Sequence, residues 1–584
     1  MHTFEVWAPI AKIMALQVND SRLPMQGPDH QGWWRANVNE AGPGSDYGFL
    51  VDEDDHPYPD PRSLRQPNGV HALSCVYNRN AFAWSDTGFR ATPLASAIVY
   101  EMHVGTFTME GTLDSAIEKL DALKDLGVTH LELMPIASFA GRQGWGYDGV
   151  ALYAVHEPYG GPDALKRFVN AAHGKGLAVL LDVVYNHFGP SGNYTGKFGP
   201  YITELHHTPW GGAVNLEAEW ASQVRRFFCD NALMWMRDFH FDGLRLDAVH
   251  AYIDRSAIHF LEQLTIETKA LEADLARPLV LIAESDLNEP RIVTSRDAGG
   301  FGIDAQWSDD FHHALFTALA GKPLGGYYSD FGAIEQLAKA VEKTFVFDGI
   351  YSKYRRRVHG KSAAHLPQSR FFGYIQNHDQ VGNRAVGERV HETVGLDRAK
   401  IAAALVLTSP FIPMLFEGEE WAASSPFQYF ADHEDPVLAR LVSTGRKKEF
   451  EAFGWNPDQI PDPEKKETYE RSRLNWNEVN EGQHAEMLAW YRELIALRRA
   501  TPELNDSEPG KTRAECDPVT RWIVVERGDI QILCNLATET NLLPLSWRGE
   551  ILLSSRKGVK AREDTLELPP ATVVIVKTRS ERSG

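Results

Sequence analysis

From about residue 95 onward, short apolar runs alternate eight times with stretches of helical periodicity. The runs fall at 97–103, 129–135, 177–184, 241–247, 279–284, 303–307, 371–377 and 411–416. Between them apolar residues recur at three- and four-residue spacing, as at 113–126, 163–173, 221–239, 255–275 and 399–408. Eight strands, each followed by a helix, predict an α/β fold of the (β/α)8 barrel type with insertions. A doubly wound open sheet is the competing architecture. No GxGxxG or phosphate-binding loop follows a strand here, which favours the barrel.

A chain of 584 residues is too long for one core, and its ends carry a different pattern. Phe4, Val6 and Ala8 alternate with polar neighbours, and turns such as Gly27-Pro28-Asp29 and Ala41-Gly42-Pro43-Gly44 punctuate short strands. Residues 1–92 are therefore expected to form a small β-sandwich. Its acidic, proline-rich stretch at 51–63 reads as a solvated loop. Residues 93–501 would form the barrel, closed by a helix at 485–499. A Gly-, Pro- and His-rich insertion at about 188–220 would fold over the barrel mouth. The polar, weakly periodic stretch 426–475 would elaborate the eighth loop. Residues 502–584 return to strand character and form a second small β domain.

Acidic residues outnumber basic ones by 79 to 59, a formal net charge of −20, which argues against nucleic acid or an anionic membrane as partner. A neutral substrate is expected, and flat aromatic faces among the 15 Trp and 19 Tyr could stack on it. The four cysteines, Cys75, Cys229, Cys516 and Cys534, form no CxxC pair, so neither zinc nor disulfides are expected. No basic-then-apolar leader is recognisable, and no apolar run approaches the ~20 residues that span a bilayer. A cytoplasmic location is the expectation.

Chemistry concentrates where the predicted strands stop. In a (β/α)8 barrel the active site lies at the C-terminal strand ends. The third strand ends Asp182-Val-Val-Tyr-Asn-His187, the fourth Arg245-Leu-Asp247, the fifth Ile282-Ala-Glu284, and the seventh runs into Gln376-Asn-His-Asp379. Within the fourth, Leu244 and Leu246 alternate with Arg245 and Asp247, so cation and carboxylate share a face. One such Arg–Asp pair could be structural. Several acids converging on one mouth repel each other, which predicts a functional site.

These four segments resemble, in order, the signature regions of the α-amylase family, glycoside hydrolase family 13. The resemblance implies a retaining glycosidase, with Asp247 as nucleophile and Glu284 as general acid and then base. Their carboxyl groups would lie about 5–5.5 Å apart. Asp379 would bind hydroxyls of the distorted sugar. Because a free glutamate titrates near ~4.3, Glu284 needs a raised pKa. Arg245 would orient Asp247, supported by Asp182. His187 and His378 would hold sugar hydroxyls, and Tyr147 in Gly144-Trp-Gly-Tyr-Asp148 would stack on the same ring. A core role for each of these remains the alternative. The family's calcium asparagine corresponds to Asn186, but the insertion has no Asp/Asn-rich loop, so no metal or other cofactor is expected. Many amylases carry Lys-His three and four residues after the nucleophile, where this chain has His250-Ala251.

Residues 1–92 followed by Val99-Tyr-Glu-Met-His103 resemble the branching and debranching branches, whose N-terminal domain is carbohydrate-binding-module-like. Other segments are similar to the trehalose-releasing hydrolases of the family. They are 207–216, 305–314, 428–436, Phe453-Gly-Trp455 and 471–476. The implied substrate is maltooligosyl trehalose or a related α-1,4-glucan, cut at the α-1,4 bond next to the terminal trehalose. Trp210 would stack on the leaving group, and His250 is a further substrate contact. Asp309, Asp310, His312, Tyr354, Arg356 (with Arg357), Gln380 and Asn383 are further candidate contacts, a solvated loop being the alternative for the basic run. A 1,4-α-glucan branching activity or a non-catalytic carbohydrate-binding relative are the competing functions.

Overall fold

The computed structural model describes residues 1–321, 324–451, 455–544, 549–562 and 565–578. Eight parallel strands close into a barrel: β1 (Val99–Met102), β2 (His130–Leu133), β3 (Ala178–Val183), β4 (Gly243–Leu246), β5 (Val280–Ala283), β6 (Ala305–Trp307), β7 (Phe371–Gly373) and β8 (Ile412–Phe416). Closure comes from β8 on β1, with Met414 opposite Val99 and Phe416 opposite Glu101. The strands are buried almost throughout because helices cover the outside and side chains fill the inside, which is why the sequence shows runs rather than alternation.

Differences from the predicted elements have local causes. The run at 113–126 is two helices, Leu113–Ile117 and Leu120–Leu126. Buried Leu113, Ala116, Leu120 and Leu123 keep one apolar phase across the break, so the pattern reads as continuous. The helix expected from 255 starts at Phe260, because Asp254 accepts N–H groups of Ser256 and Phe260 and holds the intervening loop. In 426–475 a full helix, Pro436–Glu451, was not legible. It lies on the surface with Phe450 as its buried residue; Val437, Leu438, Leu441 and Val442 recur at helical spacing in its first half only, and the polar run 443–449 breaks the stripe. Phe453 and Gly454 lie outside the described residues.

At the N-terminus His2–Trp7 pairs with Trp33–Val38, and a four-stranded sheet is ordered Ser21–Pro24, Met14–Val18, Asp46–Val51, Ser74–Cys75. Phe4 and Val6 point into the core as the alternation predicts. The stretch 51–63 is not simply solvated. Its second half turns inward, where Tyr47 donates its hydroxyl to Asp60 at 2.8 Å. The insertion after β3 carries a hairpin, Ile202–Thr208 with Gly211–Val214. Trp7 packs edge-on against Tyr201 at 5.1 Å, so the N-terminal sheets brace the insertion that overhangs the mouth. After the closing helix Gly482–Ala500, a five-stranded sheet runs Thr512–Asp517, Trp522–Arg527, Ile530–Asn535, Thr572–Thr578, Gly549–Ser554.

Candidate active site

Asp247 stands one residue past β4 and Glu284 one residue past β5, on neighbouring strands. Between them lies the fully buried Arg245. One of its Nη1 contacts is Asp247 Oδ1 at 2.7 Å, and Nη1 also reaches both oxygens of Asp182 at 2.9 Å. Its Nη2 is 3.9 Å from Glu284 Oε2. The guanidinium lies over the Trp307 ring at the end of β6, 4.3 Å from its centre, which fixes its plane. The turn that follows the nucleophile candidate is tied to β5. Ala248 adopts a left-handed conformation (φ 43°), and its N–H donates to Glu284 Oε2 at 2.6 Å. A non-glycine residue held there is strained, a state that persists only where surroundings impose it.

A second cation, from the loop after β7, supports the site and is itself held by β1. His378 bonds Glu101 Oε1 through Nδ1 at 2.5 Å and the Tyr147 hydroxyl through Nε2 at 2.8 Å. Tyr147 donates its own proton to Asp182 Oδ2 at 2.5 Å, so it must accept from His378. Both ring nitrogens of His378 therefore donate, which makes it an imidazolium. Burial alone would lower its pKa, but Glu101 and Asp379 overcome that and push it up to about 9. Tyr147 also stacks on the His378 ring at 5.1 Å. Its loop reaches this position because Gly146 (φ +97°) passes the Pro135 carbonyl so closely that a Cβ would sit 2.2 Å from the oxygen. The result is a chain of alternating sign, Glu101–His378–Tyr147–Asp182–Arg245–Asp247. The two cations answer the repulsion that the converging acids would otherwise suffer.

Glu284 differs from Asp247 in its surroundings. Burial raises its pKa most, the negative Asp247, Asp309 and Asp379 add to this, and Arg245 opposes it; the carboxyl is pushed up to about 8. At neutral pH it holds its proton, as a general acid requires. Burial likewise pushes Asp182 up to about 6, against the pull of Arg245. Asp379 is the open member, with its side chain 46% exposed. Asn383 donates to its Oδ1 at 3.0 Å, and His378 Nε2 lies 3.6 Å from Oδ2.

Other sequence candidates sort into three groups. Trp210 caps the insertion hairpin, 45% exposed, stacked nearly parallel on His187 at 5.4 Å and 6.5 Å from His250. These three rings form a shelf beside the mouth. Asp309 receives the Tyr374 hydroxyl at 2.5 Å and is pushed up to about 6, chiefly by burial. Gln380 accepts from Tyr328 at 3.0 Å. Three expectations need correcting. Asp310 lies in the wall of the same cleft as Asp309, but its Oδ2 is taken up by Asn288, Val346 N–H and Phe347 N–H, so it braces that wall. His312 is fully buried and donates to Tyr328, acting behind Gln380 rather than on a ligand. Arg356 occupies the left-handed turn of a hairpin, Ile350–Ser352 with Arg357–His359, and it points to solvent, as does Arg357. Tyr354 is exposed at 51% on that hairpin, while Arg355 turns inward to Asp286 at 3.0 Å. Arg355, Asp286, Glu101 and Trp307 were not singled out from sequence. Nothing in Lys353-Tyr-Arg-Arg-Arg357, which carries the hairpin turn, signals that Arg355 is the residue turned inward. Strand β7 is shorter than the predicted 371–377, ladder pairing ending at Gly373. Among the described residues no group of three or more His, Cys, Asp or Glu is arranged to hold a metal ion, and no helix is long and apolar enough to cross a membrane.

This arrangement, two carboxylates on one guanidinium at the C-terminal rim of a closed parallel barrel, defines a glycoside hydrolase of the α-amylase class. The family model described as alpha amylase, catalytic domain, matches residues 63–199, and a domain of unknown function (DUF3459) matches residues 510–575. The chain is 48% identical over 559 residues to the malto-oligosyltrehalose trehalohydrolase of Mycobacterium tuberculosis, covering 95% of each chain. It is 45% identical to the enzyme of that name from Rhizobium sp. strain M-11, covering 98% of this chain and 97% of that one. A crystal structure of a Salmonella typhimurium protein reported as an alpha amylase superposes with a TM-score of 0.90 at 36% identity, over 99% and 97% of the two chains. The chain belongs to the malto-oligosyltrehalose trehalohydrolase family.

Proposed function

We infer that this chain hydrolyses, with retention, the α-1,4 bond joining a maltooligosaccharide to a terminal trehalose. The observation that carries the reading is the placement of Glu284 beside Asp247, which is held on Arg245, at the ends of neighbouring strands. Glu284 gives its proton to the glycosidic oxygen as Asp247 attacks the anomeric carbon, and trehalose leaves. Glu284, now ionised, takes a proton from water as that water opens the glycosyl ester. Asp379, exposed into the cleft and steadied by Asn383, binds hydroxyls of the distorted sugar. Tyr147 and the His187–Trp210 shelf offer rings for stacking. Asp286, Asp309, Tyr327, Tyr354 and Arg355 line a cleft on the Glu284 side, where the leaving trehalose is held.

The same reading divides the chain at 92/93 and 501/502 into two β domains flanking the catalytic barrel. It puts the reaction in the cytoplasm, in keeping with four free cysteines. The deciding experiment is a product assay on maltotriosyl trehalose and on maltopentaose, with wild type and Glu284→Gln. Trehalose from the first, much slower attack on the second, and loss of both in the variant are expected. New α-1,6 branches, or efficient cleavage of maltopentaose, would overturn the substrate assignment.

A further inference from the structure

Most polar side chains in the wall of the cleft beside Glu284 are already engaged. Asp310 is taken up by Asn288 and two backbone N–H groups. Asp330 accepts from the Ser352 hydroxyl and the Tyr354 N–H, and Arg355 is turned onto Asp286. His359 is bonded through Nε2 to the Asp286 carbonyl at 2.9 Å. His313 differs. It lines the cleft, half-buried, and neither of its ring nitrogens has a hydrogen-bond or salt-bridge partner among the described residues. Its neighbour His312 also has an unpaired nitrogen, Nδ1, but that atom is shut inside the protein, whereas neither nitrogen of His313 is enclosed in this way. The helix Asp309–Ala320 sets where His313 stands. Asp309 and His313 are four residues apart, so they share a face, with about 6 Å of helix between them. Asp309 is near enough to Glu284 to raise its pKa. His313 stands one turn further along, where its charged neighbours are Arg355 and Asp286.

Tyr327, Tyr328 and Phe331 surround the imidazole, their ring centres 5.0, 5.1 and 5.1 Å away. Burial pushes its pKa down to about 3, with Arg355 adding to this and Asp286 opposing it. At neutral pH the ring is therefore uncharged, with one nitrogen donating and the other accepting. Such a pair suits sugar hydroxyls, each of which also donates and accepts, and the aromatic cage suits the C–H faces between them. We propose that His313 is a specificity-determining residue, its ring nitrogens binding hydroxyls of the second glucose ring of the leaving trehalose, the ring not joined to the cleaved bond. The assignment rests on the trehalose-releasing reading above. In trehalose the second ring is joined anomeric carbon to anomeric carbon, and in a plain α-1,4 leaving group it is joined through its O4. Its hydroxyl edge is turned differently in the two, and one fixed imidazole serves only the first. A site built to hydrogen-bond a hydroxyl discriminates against a ligand that does not present it.

The test compares kcat/KM on maltotriosyl trehalose and on maltopentaose for the full-length wild type, His313→Phe and His313→Gln. Phenylalanine keeps a ring in the cage and removes both nitrogens. Its kcat/KM falls about tenfold or more on maltotriosyl trehalose and stays within a factor of about two on maltopentaose. Glutamine returns one donor and one acceptor and recovers part of the preference. A wild type that releases trehalose, beside a His313→Phe protein with a normal thermal melt and an unchanged preference, overturns this assignment alone. A wild type that releases none overturns the reading beneath it as well. Crystals of Glu284→Gln soaked in trehalose decide the matter without altering His313. Second-ring hydroxyls within hydrogen-bond reach of its nitrogens support the assignment, and trehalose bound in the cleft with no hydroxyl at His313 refutes it.

Discussion

Asp247, Glu284 and Asp379 stand on one side of the barrel's C-terminal rim, and Glu417, Glu419 and Glu420 stand on the same rim just past β8. Glu284 and Glu420 are both pushed up to about 8, in each case chiefly by burial. Glu417 and Glu419 reach about 7 for the same reason. What separates the two trios is how their oxygens are used. Glu417 accepts from the Thr106 hydroxyl at 2.6 Å and from the His103 N–H at 2.9 Å. Glu419 accepts from Tyr491 at 2.8 Å and Glu420 from Tyr100 at 3.1 Å, while Arg389 clamps the Glu417 and Ser425 carbonyls. All three are shut inside the protein. Glu284 takes one backbone N–H and keeps 18% of its side chain exposed. A raised carboxyl pKa therefore does not mark catalysis unless a lone pair or proton still faces a ligand.

The sharpest separation is by substitution. Asp247→Asn removes the nucleophile and lowers kcat by a factor on the order of 10⁴ or more, with the thermal melt unchanged or raised because one of several crowded charges is gone. Glu417→Ala does the reverse. It leaves the His103 and Thr106 donors unpaired beside a new cavity and costs about 2–4 kcal/mol of stability, with kcat little changed. Denaturant melts and initial rates on both variants check this. Equal loss of activity in the two would erase the distinction drawn between the trios.

The next effect is on the pH–rate profile. Glu284 must be protonated to act as acid, so kcat/KM falls about tenfold per pH unit above its pKa of about 8. Asp309 is one of the charges that raise it. Asp309→Asn should move the basic limb to lower pH, and a limb that stays in place would remove Glu284 from the role. Stability responds to the other trio. A carboxyl whose pKa is higher folded than unfolded keeps its proton in the folded state, so stability is fully present below the unfolded value. It is lost as pH rises from about 4.3 to the folded pKa of about 7 to 8. Each such proton contributes a slope of about 1.4 kcal/mol per pH unit. Glu420→Gln keeps an acceptor for Tyr100 and removes one proton, so its stability should fall less steeply than that of wild type between pH 5 and 8.

The comparison also explains what could be read from sequence. All eight barrel strands and the four charged strand ends were legible, because burial on both faces turns strands into apolar runs that stop abruptly at a charge. The trio after β8 was not singled out, and nothing in Phe416-Glu-Gly-Glu-Glu420 tells a saturated acid from an open one. That distinction depends on Thr106, Tyr100 and Tyr491, which are distant in sequence. Asp310 and His312 share the helix Asp309–Ala320 with Asp309, but Asp310 is taken up by Asn288 and two backbone N–H groups and His312 by Tyr328, partners that no local pattern shows. The positive role of His378 was equally hidden, since it rests on Glu101 from β1.

The smallest effect tests the parity of the hairpin beside the cleft. Sequence pointed to Tyr354 and Arg356, whereas the hairpin turn puts Arg355 inside and Arg356 outside. Arg355→Ala would release Asp286, two residues from Glu284, and leave a carboxylate without its cation at the edge of the leaving-group cleft. A part-exposed ion pair of this kind is worth on the order of 1 kcal/mol, so KM for maltotriosyl trehalose should rise by several fold, with kcat changing less. Arg356→Gly should leave both constants within a factor of about two. It relieves a non-glycine residue at φ 54° but adds freedom to the unfolded chain, so the melt should move little. If Arg356→Gly and Arg355→Ala raise KM equally, the inward-facing arginine is not what the cleft uses, and the hairpin turn assigns the wrong side chain.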